Sequence, residues 1–279
     1  MITVRHKVSG EPILEVPADS LAGARLEHAV LFGADLRGAD LRGAHLRGAD
    51  LCQADLRGAD LAEANLACAD LTLANLGETS FRGANLSDAR LQAVTLEIKG
   101  AARTDFQRAD LTRVNLKNSN LAEVSFADAV LRRIDLTHVN LAGADLTGAD
   151  LTEVNFSYSN LTGARLTQAM LTGALFNGSN LCAADLRGAE LALAVLNGAR
   201  LTGADLAGAQ FSKTVLARCP DLHLALGLET VEHVSPSSID VETLRRSLAA
   251  LADAFLLGLG IEPAELARLR AVWPTEGGG

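Results

Sequence analysis

The residue types that could do chemistry gather near the carboxyl end of this sequence. Cys219, His223, Glu232 and His233 are of the kinds that hold a metal ion, and Ser235, Ser237 and Ser238 follow His233 as a nucleophile would stand beside its base. The spacing argues against both readings. The four ligand types match no tetrahedral zinc pattern, and the Pro-Ser-Ser run reads as a turn leading into a helix capped by Asp240. Gly33-Ala-Asp-Leu-Arg-Gly38 has the glycine spacing of a phosphate loop, but no Gly-Lys-Ser/Thr follows. Cys52, Cys68, Cys182 and Cys219 form no CxxC pair and read as reduced, structural thiols. The expectation is a protein with no catalytic residues, no metal and no cofactor.

Composition narrows the class further. Of 279 residues, 48% are hydrophobic and only 4% aromatic, and 25 glycines stand against 6 prolines, which suits a folded chain with many small, similar packing sites. A net charge of -9 does not supply the positive field that direct nucleic-acid binding requires. Met1 to Gly10 lacks the apolar core of a signal peptide, and the longest apolar stretch, Leu248 to Ile261, is broken by Asp253 and too short to span a bilayer. These features predict a cytoplasmic protein with no membrane contact.

The elements that must position any site are set by a repeat. Stepping by five from Leu21 to Leu216 visits 40 positions, and every one except Ala101 is Leu or Phe. In most units a small residue, usually Ala, precedes the large one by two places. A period of five would spiral round a helix and would send every second leucine to the wrong side of a strand. The backbone must turn once per unit, so that the large residue always points to an axis.

The tandem Ala-Asp/Asn-Leu-x-x unit, seen cleanly in Ala34-Asp-Leu-Arg-Gly-Ala-Asp-Leu-Arg-Gly, resembles the pentapeptide-repeat family. The resemblance implies an all-β solenoid, a right-handed quadrilateral β-helix with four pentapeptides per coil. Residues 21–216 then form about ten coils, a rod of about 48 Å at strand spacing. It also implies that residues twenty apart share a face, which places Asp50, Asp70, Asp110, Asp150 and Glu190 in one column interrupted by Arg90, Val130 and Met170. Some members of the family imitate duplex DNA with such carboxylates and protect DNA gyrase. Against that, Arg37, Arg42, Arg47 and Arg57 decorate the first coils, and Arg103, Arg108, Arg113, Arg132 and Arg133 the middle ones.

The departures from the repeat are the remaining candidates. Lys99 and Ala101 occupy inward positions between residues 94 and 104, so this stretch is expected to bulge and, with Arg103, is a candidate partner-binding loop. Residues 1–20 read as an amino-terminal cap, with a turn at Ser9-Gly10 between short apolar runs. In residues 217–279, Leu222, Leu224, Leu226 and Leu228 alternate like a strand. Val241 to Leu259 has helical spacing, and Pro263 opens a second helix. The apolar helix face around Leu244, Leu248 and Phe255 is either a lid on the last coil or an exposed surface for a partner or a second copy. The tail, from His233 to Ile239 and around Phe255 to Gly260, is similar to a segment that follows pentapeptide repeats in bacterial proteins carrying a TIR signalling domain, which implies an adaptor. The sequence therefore predicts a noncatalytic scaffold for a protein partner, such as a signalling effector, with a gyrase-protecting DNA mimic as the alternative.

Overall fold

The computed structural model describes residues 1–91, 94, 106–112, 114, 116 and 119–273. Across these residues each pentapeptide repeats one local geometry. The Leu or Phe points inward and is fully buried, as at Leu41, Leu51, Phe81 and Phe156, and the small residue two places earlier is buried beside it. Two places after the large residue the backbone becomes left-handed, with φ of 63° at Gly38 and 62° at Gly43, and also 57° at Gln53 and 60° at Leu73. The amide of the next residue then closes a β-turn on the carbonyl of the large one, Ala39 N donating to Leu36 O at 3.1 Å. Glycine is frequent at this corner because a left-handed backbone strains any residue with a Cβ.

Coils are joined by a parallel ladder with a constant interval. Leu36 N donates to Asp55 O and Asp55 N to Ala34 O, both at 2.8 Å. Parallel pairing links Arg25 to His45, His45 to Asn65 and Asn65 to Asn85, and further on runs from Ser125 and Asp145 to Asp185 and Asp205, each time twenty residues apart. Four turns thus complete one circuit. Large residues stack on their own kind up the axis: the rings of Phe106 and Phe126, and of Phe156 and Phe176, lie 5.2 Å apart. Burying each such side chain is worth about 1.5 to 3 kcal/mol before conformational entropy is subtracted. Where Thr or Cys replaces the inward alanine, its hydrogen-bonding group is satisfied by the coil before: Thr79 Oγ1 and Thr214 Oγ1 donate to Leu56 O at 2.8 Å and Leu191 O at 2.7 Å.

Both ends of the stack are covered. At the start, β1 (Ile2–His6) and β2 (Pro12–Val16) form an antiparallel hairpin, and β1 also pairs with β3 (Ala34–Asp35). At the other end, β4 (Val195–Asn197) pairs in parallel with β6 (Val215–Ala217), β5 (Gln210–Ser212) with β7 (Glu232–Ser235), and β6 with β8 (Ser238–Ile239). The ladder therefore continues past Leu216. Its interval grows to 21 residues at Asp205–Leu226, 22 at Gln210–Glu232 and 23 at Val215–Ser238.

Two expectations for the tail are corrected. The alternating leucines from Leu222 do not form a strand; Leu222–Leu224 and Leu228–Thr230 are single 3₁₀ turns that bury Leu222 and Leu228 and leave Leu224 and Leu226 outside. The helical pattern from Val241 to Leu259 is not one helix but two, α1 (Val241–Ser247) and α2 (Asp253–Gly258), followed by α3 (Pro263–Val272). A straight helix over that stretch would run about 27 Å, longer than the ~17 Å a five-residue coil side can reach. The break folds the apolar face back over the same opening. The stretch expected to bulge, with Lys99 and Arg103, lies outside the described residues except for Val94, which is buried.

The corner geometry makes a direct prediction. Leu73 is more than half exposed and sits at φ 60°. Leu73→Gly should raise stability by about 0.5 to 1 kcal/mol, the left-handed strain relieved less the extra chain entropy of glycine. Urea unfolding followed by circular dichroism measures it, and a loss of stability would contradict the account of the corner.

Candidate interaction surfaces

The acidic column exists as a geometric feature. Asp50, Asp70, Arg90, Asp110, Val130, Asp150, Met170 and Glu190 follow one another on a single ladder. Most of its carboxylates are already engaged, however. Asp50 accepts from Cys52 N at 3.0 Å, Asp70 from Thr72 N at 3.0 Å, Asp110 from Thr112 N at 2.9 Å and Asp150 from Thr152 N at 3.3 Å. Each is the short side-chain turn that Asp and Asn favour, holding the amide two residues on. That is why Asp or Asn so often precedes the large residue of the unit.

Arginines take much of the charge that is left. Arg90 pairs with Asp70 along the column, and Arg132 reaches across to Asp150, whose side chain is only 5% exposed. Burial pushes the Asp70 carboxyl up, but the hydrogen bonds from Thr72 and Cys52 and the charge of Arg90 more than reverse this and leave it below the usual carboxylate range. The same pairing recurs on other faces, with Arg57 forked on Asp55 at 2.9 and 2.7 Å and Arg187 on Asp185 at 2.8 and 2.6 Å. Glu190 is exposed. Two shallow clefts, of about 380 Å³ beside Thr112, Arg132, Arg133 and Thr152 and about 450 Å³ beside Arg57, Gly58, Gly77 and Glu78, are lined by such groups. Arg133 in the first is bonded to Glu153 at 2.8 Å.

Of the two roles open to the helix face around Leu244, Leu248 and Phe255, the structure gives it the lid and not the exposed surface. These three are 8%, 1% and 1% exposed, because the apolar face of α1 and α2 closes the open end of the core. Phe255 meets the Phe211 ring edge-on at 6.2 Å and the His233 ring at 5.3 Å. Asp240 caps α1, accepting from Thr243 N at 2.8 Å, and Thr243 Oγ1 in turn accepts from Cys219 N at 3.0 Å, tying the helix to the last coil. Arg270 of α3 clamps the break by donating to Leu248 O at 3.1 Å and Leu251 O at 2.9 Å.

The residues that suggested chemistry are scattered by this packing. Cys219 is buried and its thiol faces Leu196 O at 2.8 Å, with burial pushing it up to about 12. Both ring nitrogens of His233 are buried without a hydrogen-bond partner, wedged among Phe211, Phe255 and Gly258, where any Cβ would run into the imidazole. Ser235 Oγ shares a hydrogen bond with Ser212 Oγ at 2.8 Å, and Ser237 Oγ accepts from Thr214 N at 3.1 Å. Among the described residues no three His, Cys, Asp or Glu side chains are grouped to hold a metal ion, and no helix is long and apolar enough to cross a membrane.

A parallel ladder of twenty-residue circuits around a single-file apolar core defines a tandem-repeat protein. The family model for pentapeptide repeats matches the chain in eight copies, among them those at 20–58, 40–77, 54–92, 102–137, 129–168, 159–198 and 179–218. The chain belongs to the pentapeptide-repeat family, whose members fold as right-handed quadrilateral β-helices.

Solved structures of the family resemble it to different degrees. HetL, a pentapeptide repeat protein involved in heterocyst differentiation regulation from the cyanobacterium Nostoc sp. strain PCC 7120, is 31% identical over 72% of this chain and 89% of its own, with a TM-score of 0.27. A pentapeptide repeat protein from the Arabidopsis thaliana thylakoid lumen is 32% identical over 32% of this chain and 66% of its own, with a TM-score of 0.28. Full-length QnrB1, a plasmid-mediated fluoroquinolone resistance protein, is 19% identical over 67% and 86%, with a TM-score of 0.35. No curated protein matches the chain.

The lid yields two expected outcomes. Phe255→Ala should cost about 3 to 5 kcal/mol, as for other fully buried aromatic side chains, read as a lower midpoint in urea. Burial holds His233 below the ordinary histidine range, so the unfolded chain takes up its proton more readily than the folded one. Its contribution is therefore whole above about pH 6.5 and lost as the pH falls through the lower folded value. His233→Phe should flatten that part of the stability profile; an unchanged slope would show that the ring does not titrate against the fold.

Proposed function

We propose that this protein is a noncatalytic scaffold or adaptor: a rod of about ten right-handed coils that offers flat faces to a protein partner. The observation that carries the reading is the self-sufficiency of its outer charges. Carboxylates that cap turns and pair with neighbouring arginines leave a surface of mixed sign, and such surfaces select partners by local pattern more than by a long-range field. The family is typically made of structural and binding proteins without enzymatic activity, and buried, separated Cys219 and His233 offer no reacting pair. The partner we favour is a cytoplasmic signalling effector, as the tail's likeness suggests. Lys99 and Arg103 remain candidate contacts. Because Leu244, Leu248 and Phe255 serve the lid, a homodimer at this end would have to use other residues of the module.

The second reading is a DNA mimic that binds and protects gyrase. The adjacent carboxylates of Asp50 and Asp70 and the exposed Glu190 favour it, as members of the column Asp50, Asp70, Asp110, Asp150 and Glu190 on one ladder. Arg90 and Arg132 count against it by filling that column with positive charge.

A gyrase supercoiling assay, with and without a cleavage-trapping poison, separates the two. The expected result is no inhibition and no protection at large molar excess across a range of ionic strengths. Salt-sensitive protection that disappears in Asp50→Asn/Asp70→Asn would replace the adaptor with the mimic.

A further inference from the structure

We propose that the carboxy-terminal part of one coil face is a docking strip for a short protein segment that presents an aromatic side chain. The inference deepens the scaffold reading and rests on it. The face is the ladder that runs through Asp35, Asp55 and Asn75, and further on through Asp135, Asn155, Leu175, Val195 and Val215. In its earlier coils the outward residue caps the turn, as Asp35, Asp55, Asn75 and Asn155 do for the amides of Arg37, Arg57, Gly77 and Ser157. At Leu175, Val195 and Val215 three successive coils give up that cap and place a half-buried apolar side chain at the outward position instead. The change does not serve the core, which these side chains face away from.

Both borders of the strip extend its character. On one corner Leu193 is 54% exposed and on the other Tyr158 is 62% exposed. The Tyr158 ring is stacked on His138, with centroids 5.2 Å apart and planes 9° from parallel, so one ring face is taken. On its other side the corner column continues as Gly178 and Gly198. A Cβ on Gly178 would sit 2.9 Å from the Tyr158 ring, and one on Gly198 would meet only the Gly178 backbone. The Tyr158 ring thus already lies over Gly178, and the Gly198 corner beyond it is bare, a gap of about 5 Å along the axis into which a third ring can stack. Asn177 donates to Ser157 Oγ at 3.1 Å, while the Asn197 amide, one coil further, has no hydrogen bond among the described residues and can serve a peptide group. No charged side chain lies on the face between Glu153 and the Lys213 and Arg218 corners.

The size of the strip selects its occupant. Four coils at about 4.8 Å by one short side cover roughly 200 Å², against about 800 Å² per partner in a stable protein pair. A second copy of this chain would need far more surface than the strip provides. A few extended residues with one ring over Gly198 match it in length, polarity and shape.

The test pans a displayed library of random twelve-residue peptides on the full-length protein and measures the selected peptides by fluorescence anisotropy. The comparison variant is Leu175→Asn/Val195→Asn/Val215→Asn, which restores turn caps and should keep or raise the thermal midpoint; Tyr158→Ala is the second. The expected result is aromatic-containing peptides that lose about tenfold or more in affinity on either variant. Peptides that bind wild type and both variants equally would overturn the strip and leave the scaffold reading standing with its site elsewhere. An absence of any peptide above background would overturn the strip without touching a scaffold that binds folded partners. A wild-type dimer in light scattering that the triple variant dissolves would replace the peptide with a second copy.

Discussion

Every part of this molecule answers to one steric demand: within five residues the chain must bury one large side chain, bury one small one beside it, and turn a corner. The turn needs a left-handed residue, and a regular ladder needs circuits that close in twenty residues, as they do up to the last coil. Once both are met, the apolar column and the parallel hydrogen bonds come from the same atoms, and each coil is held chiefly by its two neighbours. Such a structure has a continuous core, and its variety is confined to the outside and the ends.

That confinement explains what the amino-acid sequence makes legible. The inward register is plain in the spacing of Leu21 to Leu216, because one residue type recurs in one environment. The role of the residue before each leucine is not plain. Asp and Asn there look like surface charge and prove to be turn caps, a difference decided by a hydrogen bond two residues away. The acidic column and Arg90 within it could be drawn from the twenty-residue interval, yet its meaning also depends on Arg132, whose reach across to Asp150 that interval does not reveal. Tyr158 is hidden in the sequence for a similar reason: a lone tyrosine becomes notable only when the coil sets it between His138 and the bare glycine corner at Gly198. The signal that could have found it was the run Leu175, Val195, Val215 at a position otherwise rich in Asp and Asn.

The carboxy-terminal lid shows the opposite limit. Its helical periodicity from Val241 to Leu259 is real, and the residues it marks are the ones that become buried. Periodicity does not report the length of the surface to be covered. The opening at the end of a four-sided coil is short, so the chain breaks the helix after Ser247, and Arg270 answers the carbonyls that the break exposes. His233 is the polar residue caught in this closure, held neutral among rings.

The widening of the last circuit has a consequence for how the molecule behaves in a crowd. A ladder whose final rung kept the interval of twenty would end in a perfect copy of its own interior, and the next chain could add to it without limit, as monomers add to a filament. By admitting one further residue at successive sides, the final coil presents a rung out of step with every other. Growth by templating stops there even before the helices close over the core, so the particle's length is written into the chain.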